Sequence, residues 1–341
     1  MTAQCLISFG SNLGNRDALI ADAARAVAGS PVVEDMRASR LFETPPIGGP
    51  GGQEPFLNAV AAFETTASAR EILEMLQQIE NHLGRQRRQR WDARPIDLDV
   101  VLHGELVSGG TGLIVPHPRY TARQFVLQPA CDVAAHFRDP RFGWTLQRLA
   151  QHLSDGVPSL ALVGGAVATR NALCRRLGDE HGIQTFVARP LAEPMPVLGN
   201  APAPARPDQR RNDPDQRDCG DPASRGSASS GMGTDQEYAA VQTVFLDRDQ
   251  PWVSAFAPPL PQLESRETGS RNLPRLIARM QSATPETRWP APHQMWPAGW
   301  RWPEYRLEVD DLDWAVSEIA SALASMRCPV TPVTDDGKWG E

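Results

Sequence analysis

Hydrophobic and polar positions along this chain of 341 residues form two successive patterns, the second interrupted by a stretch with little to bury. Residues 4 to 9 alternate as a strand. Gly10-Ser11-Asn12-Leu13-Gly14-Asn15 then turns the chain into a helix over 17 to 27, which Gly29-Ser30-Pro31 stops. A second strand is expected over 32 to 42 and a third from Phe56 to about Glu64. Ser68 with Glu71 three positions on is a capping-box spacing, and Ile72, Leu76, Ile79 and Leu83 stripe the helix behind it. Asp97-Leu98-Asp99 and the apolar run after it read as a fourth strand, with helices over 124 to 135 and 145 to 153. The order strand, helix, strand, strand, helix, strand predicts an α+β, ferredoxin-like unit over residues 1 to 154. Helices would cover one face of its sheet and leave the other to loops and ligands.

The second pattern predicts a smaller α/β unit over residues 155 to 193 and 237 to 328. Residues 159 to 163 read as a buried strand, Gly164-Gly165 leads into a helix over 167 to 177, and 183 to 188 return as a strand. Glycine at such a strand end is where P-loop and Rossmann folds hold phosphates. Here the closing glycine, lysine and hydroxyl of a P-loop are replaced by Thr169, Arg170 and Asn171, so a degenerate P-loop-like unit is expected, weakly resembling nucleotide kinases. Residues 194 to 236, rich in Pro, Asp, Arg, Ser and Gly, predict a disordered insertion. Beyond it come a strand over 241 to 247, a helix over 273 to 280, a strand over 305 to 309, a helix over 312 to 326 and a flexible tail over 329 to 341.

Composition narrows the function. A net charge of −7 gives no general nucleic-acid footprint. Lys338 is the only lysine, which excludes a lysine-based P-loop or Schiff base in the first 337 residues. The 5 cysteines are scattered without C-x-x-C spacing, against a disulfide scaffold or zinc knuckle. No apolar run reaches the ~18 residues of a membrane helix. The opening MTAQCLISFGSN lacks a basic segment followed by a long apolar one, so a cytoplasmic enzyme of small molecules is expected, with no membrane or nucleic-acid partner.

The chemistry concentrates in residues 85 to 101, RQRRQRWDARPIDLDVV. Arginines at 85, 87, 88, 90 and 94 precede two aspartates that a strand would point to one face. Paired carboxylates beside a cation cluster suit Mg²⁺ and a polyphosphate: the ion takes one or two protein carboxylates and completes its shell with water and phosphate oxygens. Arginine's planar fork suits the phosphates. Upstream, Thr44-Pro45-Pro46-Ile47 fixes the backbone beside a glycine-rich stretch that could close over a ligand. Asn58, inside an apolar strand, needs a partner for its amide.

RWDARPIDLDVVL resembles the signature of 6-hydroxymethyl-7,8-dihydropterin pyrophosphokinases. The opening G-S-N-L-G, T-P-P-I at 44 to 47 and V-P-H-P at 115 to 118 resemble the same family, over residues 3 to about 154. The resemblance implies transfer of pyrophosphate from ATP to 6-hydroxymethyl-7,8-dihydropterin, with AMP leaving, in folate synthesis. It implies two Mg²⁺ ions on Asp97 and Asp99, and Arg85 and Arg94 as catalytic cations. It assigns ATP to Gln77, Glu80, Arg87, Trp91, His117 and Arg123, and the pterin to Thr44, Pro45, Ile47, Phe56, Asn58 and Phe125. On this reading residues 1 to 154 would act without the remainder, whose role is either a kinase-like second activity or regulation through a protein partner.

Overall fold

The computed structural model describes residues 2–49, 52–84, 95–110, 112–190, 238–240, 250–257, 273–281 and 301–340. In the first half it contains β1 (Ala3–Ser11), α1 (Arg16–Ala28), β2 (Glu34–Ala38), β3 (Phe42–Thr44), β4 (Phe56–Thr65), α2 (Ala69–His82) and β5 (Asp97–His103). A short hairpin, β6 (Ser108–Gly110) and β7 (Leu113–Val115), leads to α3 (Gln124–Val133) and α4 (Leu146–Ser154). β1 is the axis of an antiparallel sheet, with β4 on one side and β5 on the other, while β2 and β3 both pair with the far edge of β4. The single strand expected over 32 to 42 is thus two. Ser39 sits at the break, where its hydroxyl accepts the Val60 N–H at 3.0 Å and donates to Arg40 O at 2.8 Å.

Alternation along β1 sorts the core. Cys5, Ile7 and Phe9 pack with Ile20, Ala24 and Val27 of α1 and with Ile72 and Leu76 of α2. Leu6 faces the other way, into a second core with Val60, Ala62, Val126 and Leu127. That second face is not left open. Its core runs on without a break through Leu160, Leu162, Ile277, Leu307, Ile319 and Leu323.

Those residues belong to a second α/β unit, with a sheet of its own. It is built from β8 (Ser159–Val163), α5 (Val167–His181), β9 (Gln184–Phe186), a small pair β10 (Ala188–Pro190) and β11 (Tyr238–Ala240), then β12 (Trp252–Ser254), β13 (Leu276–Gln281), β14 (Glu304–Glu308) and α6 (Leu312–Met326). The five strands are parallel, in the order β14-β13-β8-β12-β9. The helix expected over 273 to 280 is β13, with Leu276, Ile277, Ala278 and Met280 all buried. A short apolar run carries no period of its own, and central parallel strands are apolar on both faces. The whole of the expected insertion, 194 to 236, and the expected strand at 241 to 247 lie outside the described residues.

Between the halves lies a buried ion cluster. Asp139 accepts from Tyr120 Oη and Arg141 Nη2, both at 2.6 Å, while Glu304 of β14 is 3.8 Å from Arg141 and 3.1 Å from Arg306. Nearby, the Trp302 ring meets Trp144 and His152 edge-on, each with centroids 5.4 Å apart. The His152 tautomer follows from its neighbours. Nε2 faces the Arg275 carbonyl at 3.0 Å and must carry the proton, and Nδ1 faces the Arg275 guanidinium at 3.4 Å. Burial first, then that guanidinium, pushes its pKa down to about 4 from 6.5. A folded pKa below the unfolded one means that acid favours the unfolded chain. Stability should therefore fall between pH 6.5 and 4, by about 2 kcal/mol at pH 5. Denaturant melts at pH 7 and 5 should show this extra loss in the natural chain and not in His152→Asn.

The tail expected to be flexible is instead part of the first sheet. β15 (Thr331–Pro332) pairs antiparallel with β3, and the Val333 N–H donates to Leu41 O at 2.8 Å. Trp339 donates its indole N–H to Ser39 O at 2.6 Å and packs edge-on against Phe9. Gly337 permits this approach: a Cβ there would stand 2.0 Å from Ala38 O. Among the described residues no helix is long and apolar enough to cross a membrane.

Candidate active site

The register of the first sheet places two kinds of side chain on one face. Gly10 of β1 stands opposite Asn58 of β4 on one side and opposite Asp97 of β5 on the other; Ser8 likewise stands opposite Asp99. Directly paired residues point to the same face, and adjacent strands are about 4.8 Å apart. The Asn58 amide and the Asp97 carboxylate therefore project from one face two strand spacings apart, roughly 10 Å. Glycine between them leaves that floor without a side chain. Where the chain enters β5 the faces alternate: Asp97 and Asp99 are half-buried while Ile96, Leu98 and Val100 lie in the core, and Val101 and Leu102 beyond them are buried as well.

A cavity of about 300 Å³ lies over this face. Thr44, Pro45, Ile47, Phe56, Asn58 and Phe125 line it, and so do Asp97, Asp99, His117 and Arg123. Ten of the residues expected from sequence are thus brought together. Asn58 Nδ2 donates to Thr44 Oγ1 at 2.8 Å, which fixes its amide and leaves Oδ1 as an acceptor 3.7 Å from where a Gly10 Cβ would lie. The loop after Thr44 is held at its root by the Arg16–Glu43 pair at 3.2 Å, and it turns through Gly48 and Gly49 at φ 70° and 74°, which favour glycine.

The other end is polar. His117 follows the cis Val115–Pro116 peptide and Pro116 itself, and accepts the Arg119 N–H on Nδ1 at 3.2 Å. Its proton is therefore on Nε2, 3.7 Å from Asp99 Oδ2, with Arg123 Nη1 3.9 Å from the same oxygen. Burial, and then the cations Arg123 and Arg119, hold the imidazole well below its ordinary pKa, so it is a neutral donor. Neither contact to Asp99 is a close hydrogen bond, so that carboxylate keeps lone pairs for another partner. Two hard oxygen groups, with no cluster of three or more His, Cys, Asp or Glu able to hold a metal among the described residues, fit an ion that takes most of its shell from water and phosphate.

Two expected nucleotide contacts stand elsewhere. Gln77 and Glu80 do not line the cavity; Glu80 is buried, and its Oε1 accepts the Leu98 N–H at 2.8 Å. It fastens the strand segment between the two aspartates to α2. Arg85, Arg87, Trp91 and Arg94 lie outside the described residues. Sequence reasoning also missed the far wall of the cavity: Tyr305 of β14 and Glu318, Ser321, Ala322 and Ser325 of α6. The one signal was a glutamate on the apolar stripe of α6, and nothing local says where it points.

A family model described as 7,8-dihydro-6-hydroxymethylpterin-pyrophosphokinase matches residues 6–135. A 2-amino-4-hydroxy-6-hydroxymethyldihydropteridine pyrophosphokinase of Bacillus subtilis is 39% identical over 127 residues, 37% of this chain and 75% of that one. The enzyme of the same name from Pseudomonas aeruginosa is 37% identical over 140 residues, 41% of this chain and 86% of that one. A Plasmodium falciparum HPPK-DHPS structure with pteroate aligns with a TM-score of 0.36 at 11% identity, covering 58% of each chain.

Proposed function

This chain belongs to the 7,8-dihydro-6-hydroxymethylpterin-pyrophosphokinase family, and from that premise we propose how its own residues divide the work. As a member it is an ATP-dependent diphosphotransferase: it moves pyrophosphate from ATP to 6-hydroxymethyl-7,8-dihydropterin, giving AMP and the pterin diphosphate in folate synthesis. The substrate hydroxymethyl oxygen attacks the β-phosphorus, and the bond to the α-phosphate oxygen breaks.

The pterin lies at the Asn58 end. The Asn58 amide, oriented by Thr44, and the backbone around Thr44, Pro45 and Ile47 pair the ring's alternating donors and acceptors, while Phe125 and Phe56 cover its faces. The triphosphate lies at the Asp97 end. There Asp97 and Asp99 would hold two Mg²⁺ ions, which when bound neutralise the phosphates and make the β-phosphorus more electrophilic. His117 donates from Nε2 to a phosphate oxygen and Arg123 supplies a fixed cation. Arg85 and Arg94 follow the charge as it moves onto the leaving AMP, with Arg87 and Trp91 on the nucleotide side. Positioning and electrostatics carry such transfers, and no strong base is needed. The observation that carries this reading is the row Asn58, Gly10, Asp97, whose span of about 10 Å suits a ring at one end and phosphates at the other.

We read residues 1–154 as the ferredoxin-like catalytic unit, supported by the strand order β5-β1-β4-β3. The remainder fits a degenerate P-loop-like unit, supported by its parallel order and by Gly164-Gly165 after β8. Arg170 donates to both glycine carbonyls, at 2.8 and 3.2 Å, and so occupies the turn where an active loop would hold phosphate. A scaffold role follows better than a second kinase activity, and we place the protein in the cytoplasm.

The function is tested by AMP release from MgATP, with and without the dihydropterin. Pterin-dependent AMP is the expected product; ADP, or AMP independent of pterin, would overturn the reading. Asn58→Ala should raise the KM for the pterin about ten- to a hundredfold, the value of an oriented hydrogen bond in a buried site, with a smaller change in kcat. An unchanged KM would remove Asn58 from the pterin site.

A further inference from the structure

One wall of the cavity comes from beyond residues 6–135, the stretch matched by the family model. Glu318, Ser321, Ala322 and Ser325 are spaced so that one face of α6 carries them all, and Tyr305 adds its ring from β14. Glu318 is the only one of the five that is an acid, and its side chain is just 5% exposed. A carboxylate buried to that degree persists only when paired. Its partners are the Tyr305 hydroxyl, which donates to Oε1, and the Arg119 guanidinium, whose Nε lies 3.0 Å from the same oxygen. Arg119 also stacks over the Trp314 ring at 5.0 Å. The side chain of Arg119 is thus held by the second half of the chain, while its backbone N–H sets the tautomer of His117.

We propose that Glu318 is a positioning residue of the transfer site, acting through Arg119. The ion pair neutralises a cation at the cavity wall and anchors the 117–123 segment, so that His117 Nε2 and Arg123 stay turned toward Asp99. Without it, Arg119 is a poorly solvated cation within reach of the Asp97–Asp99 end, where it competes for those carboxylates and shifts the segment. This rests on the reading of Asp97, Asp99, His117 and Arg123 as the triphosphate end.

The test uses the full chain and four proteins: natural, Glu318→Ala, Arg119→Ala and the double variant. Two readouts run in parallel, kcat and KM for both substrates, and the Kd of a non-hydrolysable ATP analogue with Mg²⁺ by calorimetry. Glu318→Ala should weaken the analogue's Kd and raise the ATP KM about ten- to a hundredfold, with the pterin KM moving much less. The double variant should be no worse than Glu318→Ala alone, because one pair is removed either way. Glu318→Gln, which keeps an acceptor for Tyr305, should recover part of the loss and serves as the comparison if the alanine variant does not fold. A role confined to stability would lower the folded fraction and leave Kd and KM as they were; that result, or additive losses in the double variant, overturns the proposal. Failure of the natural chain to make pterin-dependent AMP would instead overturn the functional reading itself.

Discussion

Asp97→Ala is expected to lower kcat by about three orders of magnitude or more while the protein melts almost as before. The carboxylate is half-buried at the cavity edge and sits in a strand whose backbone pairing does not need the side chain. Substitution at such a position changes stability by about 0.5 kcal/mol. Turnover, by contrast, loses the anchor for the charge that offsets a tetra-anionic nucleotide, an effect of several kcal/mol, and each 1.36 kcal/mol is tenfold. Steady-state AMP formation and a thermal melt on one preparation decide it. Activity within tenfold of natural would remove the metal role from Asp97; a collapsed melt would make the residue structural.

The second large effect concerns the separation of the halves. Residues 1–154 made alone are expected to aggregate and to make no AMP, contrary to what the family resemblance implies. Truncation removes Glu304 and Arg306 from the buried cluster around Asp139 and Arg141, and breaking such a pair costs about 3–5 kcal/mol. It also takes Trp302 off Trp144 and His152, removes the Glu304 carbonyl that accepts from Thr121, and strips α6 from the cavity. A domain with 5–15 kcal/mol of total stability does not absorb those losses together. Size-exclusion chromatography and the AMP assay on the fragment test this. A monomeric, active fragment would show that the second half is dispensable and would return the site to the first 154 residues alone.

What the sequence made legible was local. The Asp97-Leu98-Asp99 alternation announced its own geometry, because a strand's period of two fixes which side chains share a face, and the Ser68–Glu71 capping box is formed. Asn58 stood out as an amide in an apolar strand, and the structure confines it beside Thr44. Glu80 ties α2 to the Leu98 N–H, a role hidden in the sequence because a buried carboxylate that accepts a backbone N–H looks there like any polar residue on a helix face. The run at 276 to 281 failed for a different reason: six mostly apolar residues satisfy either period, and only the neighbouring strands decide. Glu318 and Arg119 are separated by almost 200 positions and are joined by packing alone, so no local pattern could link them.

The pairing of β15 with β3 has a consequence for how the site is born. A ribosome delivers the chain from its amino end, and domains commonly fold as they emerge. Here the strand that leads into Thr44 keeps one edge unpaired until residues 331 and 332 appear, and Phe9 waits for Trp339. The pocket therefore cannot reach its final form while those residues remain in the exit tunnel. Nascent chains stalled before this point should present an open sheet edge to chaperones, and the enzyme's first turnover should come only after the tail has closed it.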